Sequence, residues 1–150
     1  MANFQRNGAT SNTQVGRDFE STAREFFAKQ GLHLQPNFKL NIGIDDRSKT
    51  HSFDLGDEDK KVIIECKSHT WTETWNVPSA KMTTWNQAMY YFYAAPREYR
   101  KILFVLRHYN PARKETLAEY YGKTNSHLVP DGVEIWEYDE SAAEAKRISK

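Results

Sequence analysis

Residues 51–71 read HSFDLGDEDKKVIIECKSHTW, and this stretch decides the fold. The segments SFDLG and KVIIECKS carry the aromatic and β-branched residues typical of strands, and the polar segment between them predicts a turn. Charged residues interrupt both apolar runs: Asp54 stands in the first, and Glu65 and Lys67 stand in the second. If the two strands pair in an antiparallel hairpin, Asp54 lies beside Glu65 and Lys67.

The alternation of side chains along a strand places Glu65 and Lys67 on one face and Cys66 on the other. Two carboxylates can hold Mg²⁺ or Mn²⁺ and leave positions for water and phosphate, and the cation lowers the pKa of a bound water. Lys67 can orient or deprotonate that water and offset charge on the phosphorus oxygens. The alternative for Lys67 is a structural salt bridge to Glu65 or Asp54.

The residues before the hairpin predict a helix and a further strand. Apolar residues recur at helical spacing over residues 13–30, and Gly31 follows as a stop. Residues 37–44 alternate as a strand does, so the three strands are expected to form an antiparallel meander. Residues 1–12 are polar without periodicity, which predicts a loose tail.

The residues after the hairpin complete an α/β pattern. We expect a helix over residues 79–95, a strand covered on both faces over 101–109, and a helix around 112–122. A strand over 133–138 and a short alanine-rich helix at the end follow. This order predicts an α/β fold with a central mixed β-sheet flanked by helices, in a single domain over residues 1–150.

Composition narrows the functional classes. A chain of 150 residues, 39% of them hydrophobic, can bury one sizeable core. It contains no apolar run near the roughly 18 residues of a membrane helix and no apolar signal sequence, so a soluble, cytoplasmic protein is expected. The one cysteine, Cys66, excludes an internal disulfide and a cysteine-rich zinc site. With a net charge of +1, any polyanion site must be a local patch.

The spacing of the charged residues resembles the motif of a nuclease family. Asp54, ten intervening residues and then Glu65-Cys66-Lys67 on an apolar strand is similar to the PD-(D/E)XK nuclease superfamily, which includes restriction endonucleases, Holliday-junction resolvases and RecB-type nuclease domains. Phe53 stands where the family's proline would be, at a position that varies widely in this superfamily. The resemblance implies a restriction endonuclease-like fold with an αβββαβ core, over roughly residues 13–138.

The first predicted helix extends the resemblance. The segment VGRDFESTAREFF is similar to the family's first helix, in which a glycine stands four residues before a glutamate that often helps to bind metal; these are Gly16 and Glu20 here. The catalytic residues that the resemblance implies are Asp54, Glu65, Lys67 and Glu20. It implies Mg²⁺, with Mn²⁺ as a substitute, and these ligands: Asp54, Glu65, Glu20 and the main-chain carbonyl of Cys66.

Residues able to contact nucleic acid lie outside this motif. Gln87 and Tyr91, in the segment QAMYY, are similar to the Q-x-x-x-Y signature of the RecB-like branch. Arg17 and Lys81 can contact phosphates, although such charges are usually a solvated surface. His69 can reach a phosphate or a metal, but an ordinary polar histidine is the favoured interpretation.

An aromatic segment, HTWTETWNVPSAKMTTW over residues 69–85, follows the catalytic strand. The rings of Trp71, Trp75 and Trp85 can stack on unpaired bases or wedge into a duplex. The alternative is that they fill the core or a subunit interface, which is favoured for Trp85 because it belongs to the apolar stripe of the helix over residues 79–95.

The function predicted from these residues is a metal-dependent DNA endonuclease, whose products carry 5′-phosphate and 3′-hydroxyl ends by the family resemblance. Cleavage of both strands by so small a domain requires a homodimer. One alternative is a catalytically silent nucleic-acid-binding or assembly subunit on the same fold. Another is a nuclease for RNA, or for a particular nucleic-acid structure, that works within a complex.

Overall fold

The computed structural model describes residues 12–149, with side chains from Val15 onwards. The tail predicted for residues 1–12 lies outside this range except for Asn12, which begins the first helix. None of the helices in the described part of the chain combines the length and apolarity that a membrane crossing requires.

The predicted first helix is confirmed as α1 (Asn12–Lys29), and its apolar stripe is buried. Gly31 follows with φ of +85°, a left-handed conformation that glycine adopts without a side-chain clash and that ends the helix. The helix therefore begins and ends close to the positions that the sequence predicts.

The predicted meander is also confirmed. It consists of β1 (Gln35–Ile42), β2 (Lys49–Asp57) and β3 (Val62–Lys67), and each strand pairs antiparallel with the next. The second strand is longer than expected, because Lys49 and Thr50 pair with the end of β1.

The second half of the chain adds parallel strands to this meander. Helix α2 (Ser79–Ala94) leads into β4 (Arg100–Leu106), which pairs parallel with β3. Residues 102–106 of β4 are buried, as expected for a strand covered on both faces. The described residues therefore form an α/β fold with a mixed sheet of six strands, in the order β1-β2-β3-β4 followed by β7 (Glu134–Asp139) and β8 (Glu144–Arg147).

The helix expected around residues 112–122 begins later. A two-stranded hairpin, β5 (Tyr109–Asn110) and β6 (Glu115–Thr116), precedes α3 (Leu117–Thr124). The buried side chain of Asn110 accepts hydrogen bonds from two backbone N–H groups, which fixes a turn in place of a first helical turn. Thr116 and Glu119 then cap α3 reciprocally.

The final alanine-rich helix is a wrong prediction. After the 3₁₀ turn Ser126–Leu128 and β7 (Glu134–Asp139), the chain forms β8 (Glu144–Arg147), antiparallel to β7. Without β8, the backbone groups along one side of β7 would have no strand partner. Pairing with them outweighs the helical preference of the alanines, which is a weak local effect.

Helices cover both faces of the sheet. Helix α1 packs on the face that carries Ile64 and Phe104, and α2 and α3 pack on the face that carries Ile63 and Leu103. Neighbouring residues of β3 thus belong to different cores, as the alternation along its sequence predicts. The end of β3, with Glu65 and Lys67, lies between these two layers.

Gly56 provides a test of the packing between β1 and β2. A Cβ atom at this position would lie 2.5 Å from ring atoms of Phe38. We expect Gly56→Ala to lower the free energy of unfolding in urea by about 1–3 kcal/mol, as overpacked cores do. The control is Gly122→Ala in α3, where an added Cβ meets nothing within 4 Å, and the helix should be equally or more stable. Equal stability of the two variants would contradict this close approach.

Candidate active site

The ladder between β2 and β3 ends at the pair Leu55–Ile64, and side chains replace the next backbone hydrogen bonds. The N–H of Cys66 donates to Asp54 Oδ2 at 2.8 Å, and the N–H of Asp54 donates to Glu65 Oε2 at 3.1 Å. The sequence prediction that Asp54 lies beside Glu65 is therefore confirmed. The two carboxyl groups lie between the strands.

The backbone is irregular at the same level. Phe53 belongs to the core under α2 while Leu55 belongs to the core under α1, although residues two apart in a regular strand share a face. On β1, Asn37 adopts φ of +52°, between the pairs Pro36–Leu55 and Phe38–Phe53. The β1–β2 hairpin therefore rotates at Asp54, which lets one end pack on α1 and the other on α2.

Three carboxyl groups interact at this point. Burial, followed by the negative charge of Glu65, raises the pKa of Asp54 from 3.8 to about 8. Burial, followed by the same charge, raises the pKa of Glu20, which lies half-buried on α1. Glu20 therefore faces the interior as expected and adds to the repulsion that keeps Asp54 protonated.

The main chain of Cys66 also faces this site. In an antiparallel pair, the N–H and C=O of one residue point to the same neighbouring strand. Since the N–H of Cys66 points to Asp54, its carbonyl oxygen points the same way, beyond the last paired residues of β2. The thiol is not a nucleophile here, because burial and the nearby carboxylates raise the pKa of Cys66 far above its usual value.

Lys67 follows on β3 and is only partly buried. Its ammonium group forms no ion pair with Asp54 or Glu65, so the structural salt bridge considered as an alternative is not formed. Its positive charge nevertheless acts on two neighbours. It adds to the effect of burial in lowering the pKa of His69, and it opposes the larger effect of burial that raises the pKa of Cys66. Lys67 is thus a cation near the carboxyl pair that remains available to a ligand.

His51 is a site residue that the sequence interpretation missed. Its ring stacks on Tyr91 with centroids 3.9 Å apart and meets the ring of Phe53 edge-on at 4.5 Å. Its buried Nε2 lies 3.6 Å from Glu65 Oε1 and has no hydrogen-bond partner among the described residues. The sequence spacing of the histidines does not indicate a metal-ligand pair. The one signal in the sequence for a role of His51 was its position three residues before Asp54 on the same strand.

A cleft of about 600 Å³ opens beside Asp54 on the α1 side. Arg17 and Glu20 on the helix and Asn37 on β1 contribute to its walls. Arg17 is exposed, and its positive charge lowers the pKa of Glu20 against the stronger effect of burial. The cleft therefore connects the partly buried carboxyl group of Asp54 with the exposed guanidinium of Arg17.

The remaining predicted contacts with nucleic acid are separated by the fold. Gln87 and Lys81 are exposed on α2, whereas Tyr91 is half-buried against His51. Trp71 is only 2% exposed, and its indole N–H donates to the carbonyl of His108 at 3.0 Å. This corrects the expectation that Trp71 stacks on bases, because its ring fills the core.

Trp85 and the partly buried His69 are joined by a hydrogen bond. Trp85 is fully buried, as favoured from its place in the apolar stripe of α2. Its indole N–H donates to His69 Nδ1 at 3.0 Å. Burial, together with the charges of Lys67 and Lys81, lowers the pKa of His69 to about 4, so the ring is neutral at pH 7. His69 is therefore an acceptor for Trp85, as the polar interpretation expects.

The donor set fits a hard divalent cation. Among residues 12–149, no group of three or more His, Cys, Asp or Glu side chains is arranged to hold a metal ion. Mg²⁺, however, is usually held by one or two carboxylates and several waters. Asp54 and Glu65 supply that pair. The buried Nε2 of His51, which has no hydrogen-bond partner among the described residues, is a further nitrogen atom free to interact with a ligand.

No protein-family model matches this chain, and no curated protein or solved structure matches it. Its similarity to the PD-(D/E)XK superfamily consequently rests on the motif and the order of elements. The function must be argued from the residues and their geometry.

The raised pKa of Asp54 predicts that stability depends on pH. The folded protein binds a proton at Asp54 up to pH of about 8, whereas the unfolded chain releases it near 3.8, so stability falls as the pH rises between these values. Each unit of pKa shift corresponds to about 1.4 kcal/mol. Without metal, Asp54→Asn should therefore be more stable than wild type at pH 8 and similar to it at pH 4.

Urea unfolding in EDTA at several pH values measures this difference. Asparagine keeps the oxygen that accepts from Cys66 N–H and removes only the charge. The control is Asp131→Asn in an exposed turn, which should follow the wild-type pH profile. An Asp54→Asn profile parallel to wild type would show that Asp54 ionises normally.

Proposed function

We propose that this protein is a metal-dependent DNA endonuclease with a restriction endonuclease-like core. The observation that carries the proposal is the insertion of Asp54 and Glu65 between β2 and β3, beside Lys67, which pairs with neither. A buried carboxyl group, Glu65, and a partly buried one, Asp54, repel each other, and this costs folding free energy. Binding of a cation would offset this cost and explains why the two acids are present. If the two positions served stability alone, a pair of apolar side chains would give the more stable protein.

The order of elements supports the same proposal. The segment α1-β1-β2-β3-α2-β4 has the order αβββαβ that the resemblance implies, with the acidic residues on β2 and β3. Glu20 lies on α1 and interacts electrostatically with the carboxyl pair, as the resemblance requires. The motif and the fold thus bring the same residues together.

Asp54 and Glu65 would hold the cation, with Glu20 and the carbonyl of Cys66 completing the site. A bound Mg²⁺ or Mn²⁺ supplies Lewis-acid stabilisation of the phosphate and lowers the pKa of a coordinated water. The ring of His51 is held against Tyr91, and its unpartnered Nε2 faces Glu65 Oε1 at 3.6 Å. His51 is therefore a further nitrogen donor near the proposed site.

Lys67 would assist the attacking water and offset negative charge on the phosphorus oxygens. Its freedom from an ion pair with either carboxylate leaves its donors available for this role. The products would carry 5′-phosphate and 3′-hydroxyl ends. Cleavage of both strands would require a homodimer, because residues 12–149 of one chain form one such site.

The second candidate is a catalytically silent nucleic-acid-binding subunit. The observation that favours it is the absence, within residues 12–149, of three side chains arranged to hold a metal. The crowding of Asp54 and Glu65 argues in the opposite direction, because a site that only binds polyanions gains nothing from two adjacent carboxyl groups. Cleavage assays separate the two candidates and also test RNA.

Lys67→Ala should abolish metal-dependent cleavage, because it removes the group that assists the water. We expect the cleavage rate to fall at least about 100-fold, within the range for a lost acid–base group. The assay uses supercoiled plasmid, linear duplex, single strand, flap, four-way junction and single-stranded RNA, each with Mg²⁺, Mn²⁺ or EDTA. Wild type should cut at least one DNA substrate with metal and none in EDTA.

The control for this variant is Lys60→Ala, which removes an exposed lysine from the turn between β2 and β3. It should cut at the wild-type rate. If wild type cuts no substrate yet shifts DNA in a gel, the binding-subunit candidate replaces the nuclease. Cleavage of RNA alone would reassign the substrate.

Metal binding can be measured without cleavage. Mn²⁺ should raise the thermal midpoint of wild type at pH 8 but leave Glu65→Gln unchanged, because a ligand that binds only the folded state stabilises it. The gain is about 2.7 kcal/mol when Mn²⁺ exceeds its Kd about 100-fold. The control is Glu73→Gln in an exposed loop, which should respond as wild type does. An equal response from Glu65→Gln would place the metal elsewhere.

A further inference from the structure

The loop after β3 is a closed turn that presents Trp75. The N–H of Trp75 donates to the carbonyl of Thr72 at 2.9 Å, and the N–H of Asn76 donates to Thr72 Oγ1 at 2.9 Å. The carbonyl of Trp75 accepts from the side chain of Asn110, which is fully buried. These hydrogen bonds hold Trp75 at φ of +64°, a conformation that is rare for a bulky residue.

Trp75 is the exposed tryptophan of the aromatic segment. Its side chain is 38% exposed, whereas Trp71 and Trp85 are buried in the core. The ring lies against His108, with centroids 5.3 Å apart and planes at 28°. His108 is itself fixed, because its Nδ1 accepts from the N–H of Trp71. Trp75 is thus a rigid ring with one side supported by protein.

The sheet brings this ring close to the proposed catalytic residues. Strands β3 and β4 run parallel, and Lys67 pairs with Val105. His108 follows Val105 by three residues, which span at most roughly 10 Å. Trp75 therefore lies at the edge of the sheet where Lys67 ends its strand, within reach of the nucleotides next to a phosphate bound there.

The surroundings of the ring carry unpaired positive charge. The guanidinium of Arg113 lies over the rings of Trp71 and Tyr120, at 5.5 and 5.4 Å, and forms no ion pair with a described residue. Lys67 and Lys81 each lie close enough to His69 to act on it electrostatically. These cations suit a phosphate backbone whose bases reach the ring.

We propose that Trp75, supported by His108, stacks on an unpaired base of the DNA that the catalytic site cuts. The inference rests on the proposed function and specifies its substrate class: DNA with a single-stranded segment, such as a flap, loop or junction arm. In an intact duplex the faces of the bases are already stacked on each other, so an isolated ring has no partner there. A single strand offers such a face at every nucleotide.

The test measures binding in EDTA, so that no cleavage intervenes. The probes are a fluorescein-labelled single-stranded 20-mer and a blunt-ended duplex of two complementary 20-mers, and the readouts are anisotropy and tryptophan quenching. Trp75→Ala should weaken single-strand binding by about 5-fold to 100-fold, the range found for the loss of one stacked ring. Duplex binding should change less than about twofold, and Trp75→Phe should retain most of the single-strand affinity.

The matched controls are Tyr90→Ala and Tyr93→Ala on α2, which remove aromatic rings that are more exposed, at 62% and 63%. They should bind both probes as wild type does, and circular dichroism should show all variants folded. Equal single-strand affinity of Trp75→Ala and wild type would overturn the inference. An equal loss from Tyr90→Ala would overturn it as well, because the effect would then not be specific to Trp75.

These outcomes are separable from the fate of the proposed function. If wild type cuts DNA and Trp75→Ala binds the single strand normally, the stacking role fails and the nuclease remains. If Trp75→Ala loses single-strand binding but wild type cuts nothing, the stacking role stands and the protein is a binding subunit.

Discussion

The structure depends on two hydrogen bonds that join β2 to β3 through side chains. Asp54 accepts from the N–H of Cys66, and Glu65 accepts from the N–H of Asp54, where backbone pairing has stopped. Because these side-chain hydrogen bonds take the place of backbone pairing, β2 rotates at Asp54, and Phe53 and Leu55 contribute to opposite cores. Because the acids hold the strands together, they lie side by side with Glu65 buried and Asp54 partly buried, and burial with mutual repulsion raises the pKa of Asp54. The same contacts thus fix the hairpin and concentrate negative charge.

On the proposed function, this arrangement favours binding of a cation over stability of the metal-free protein. The apo state must keep Asp54 protonated or accept the repulsion, and either condition costs free energy at neutral pH. His51 and Lys67 lie close by without neutralising the pair: His51 Nε2 is 3.6 Å from Glu65, and Lys67 forms no ion pair with it. A ligand can therefore engage all of these groups without first breaking an internal salt bridge.

The parallel strands explain why the aromatic loop lies at the same end of the sheet as Lys67. Since β3 and β4 end at one edge of the sheet, the chains that leave them run side by side, and Trp71 hydrogen-bonds to His108 there. The order of elements predicts that β3 and β4 end at the same edge of the sheet, because strands connected by a helix such as α2 usually run parallel. Which ring of the loop is buried was not predictable, since Trp71 and Trp75 are equally apolar and only the packing of α3 and the hairpin before it separates them.

The sequence by itself determined the first helix, the meander, the buried strand β4 and the meeting of Asp54 with Glu65, because each follows from local periodicity and a short turn. The alanine-rich end forms β8 in place of the expected helix, because pairing with β7 is a contact distant in sequence that outweighs a weak propensity. Tertiary structure alone decided the place of His51 against Glu65 and the exposure of Trp75. Both depend on packing between elements that no local pattern records.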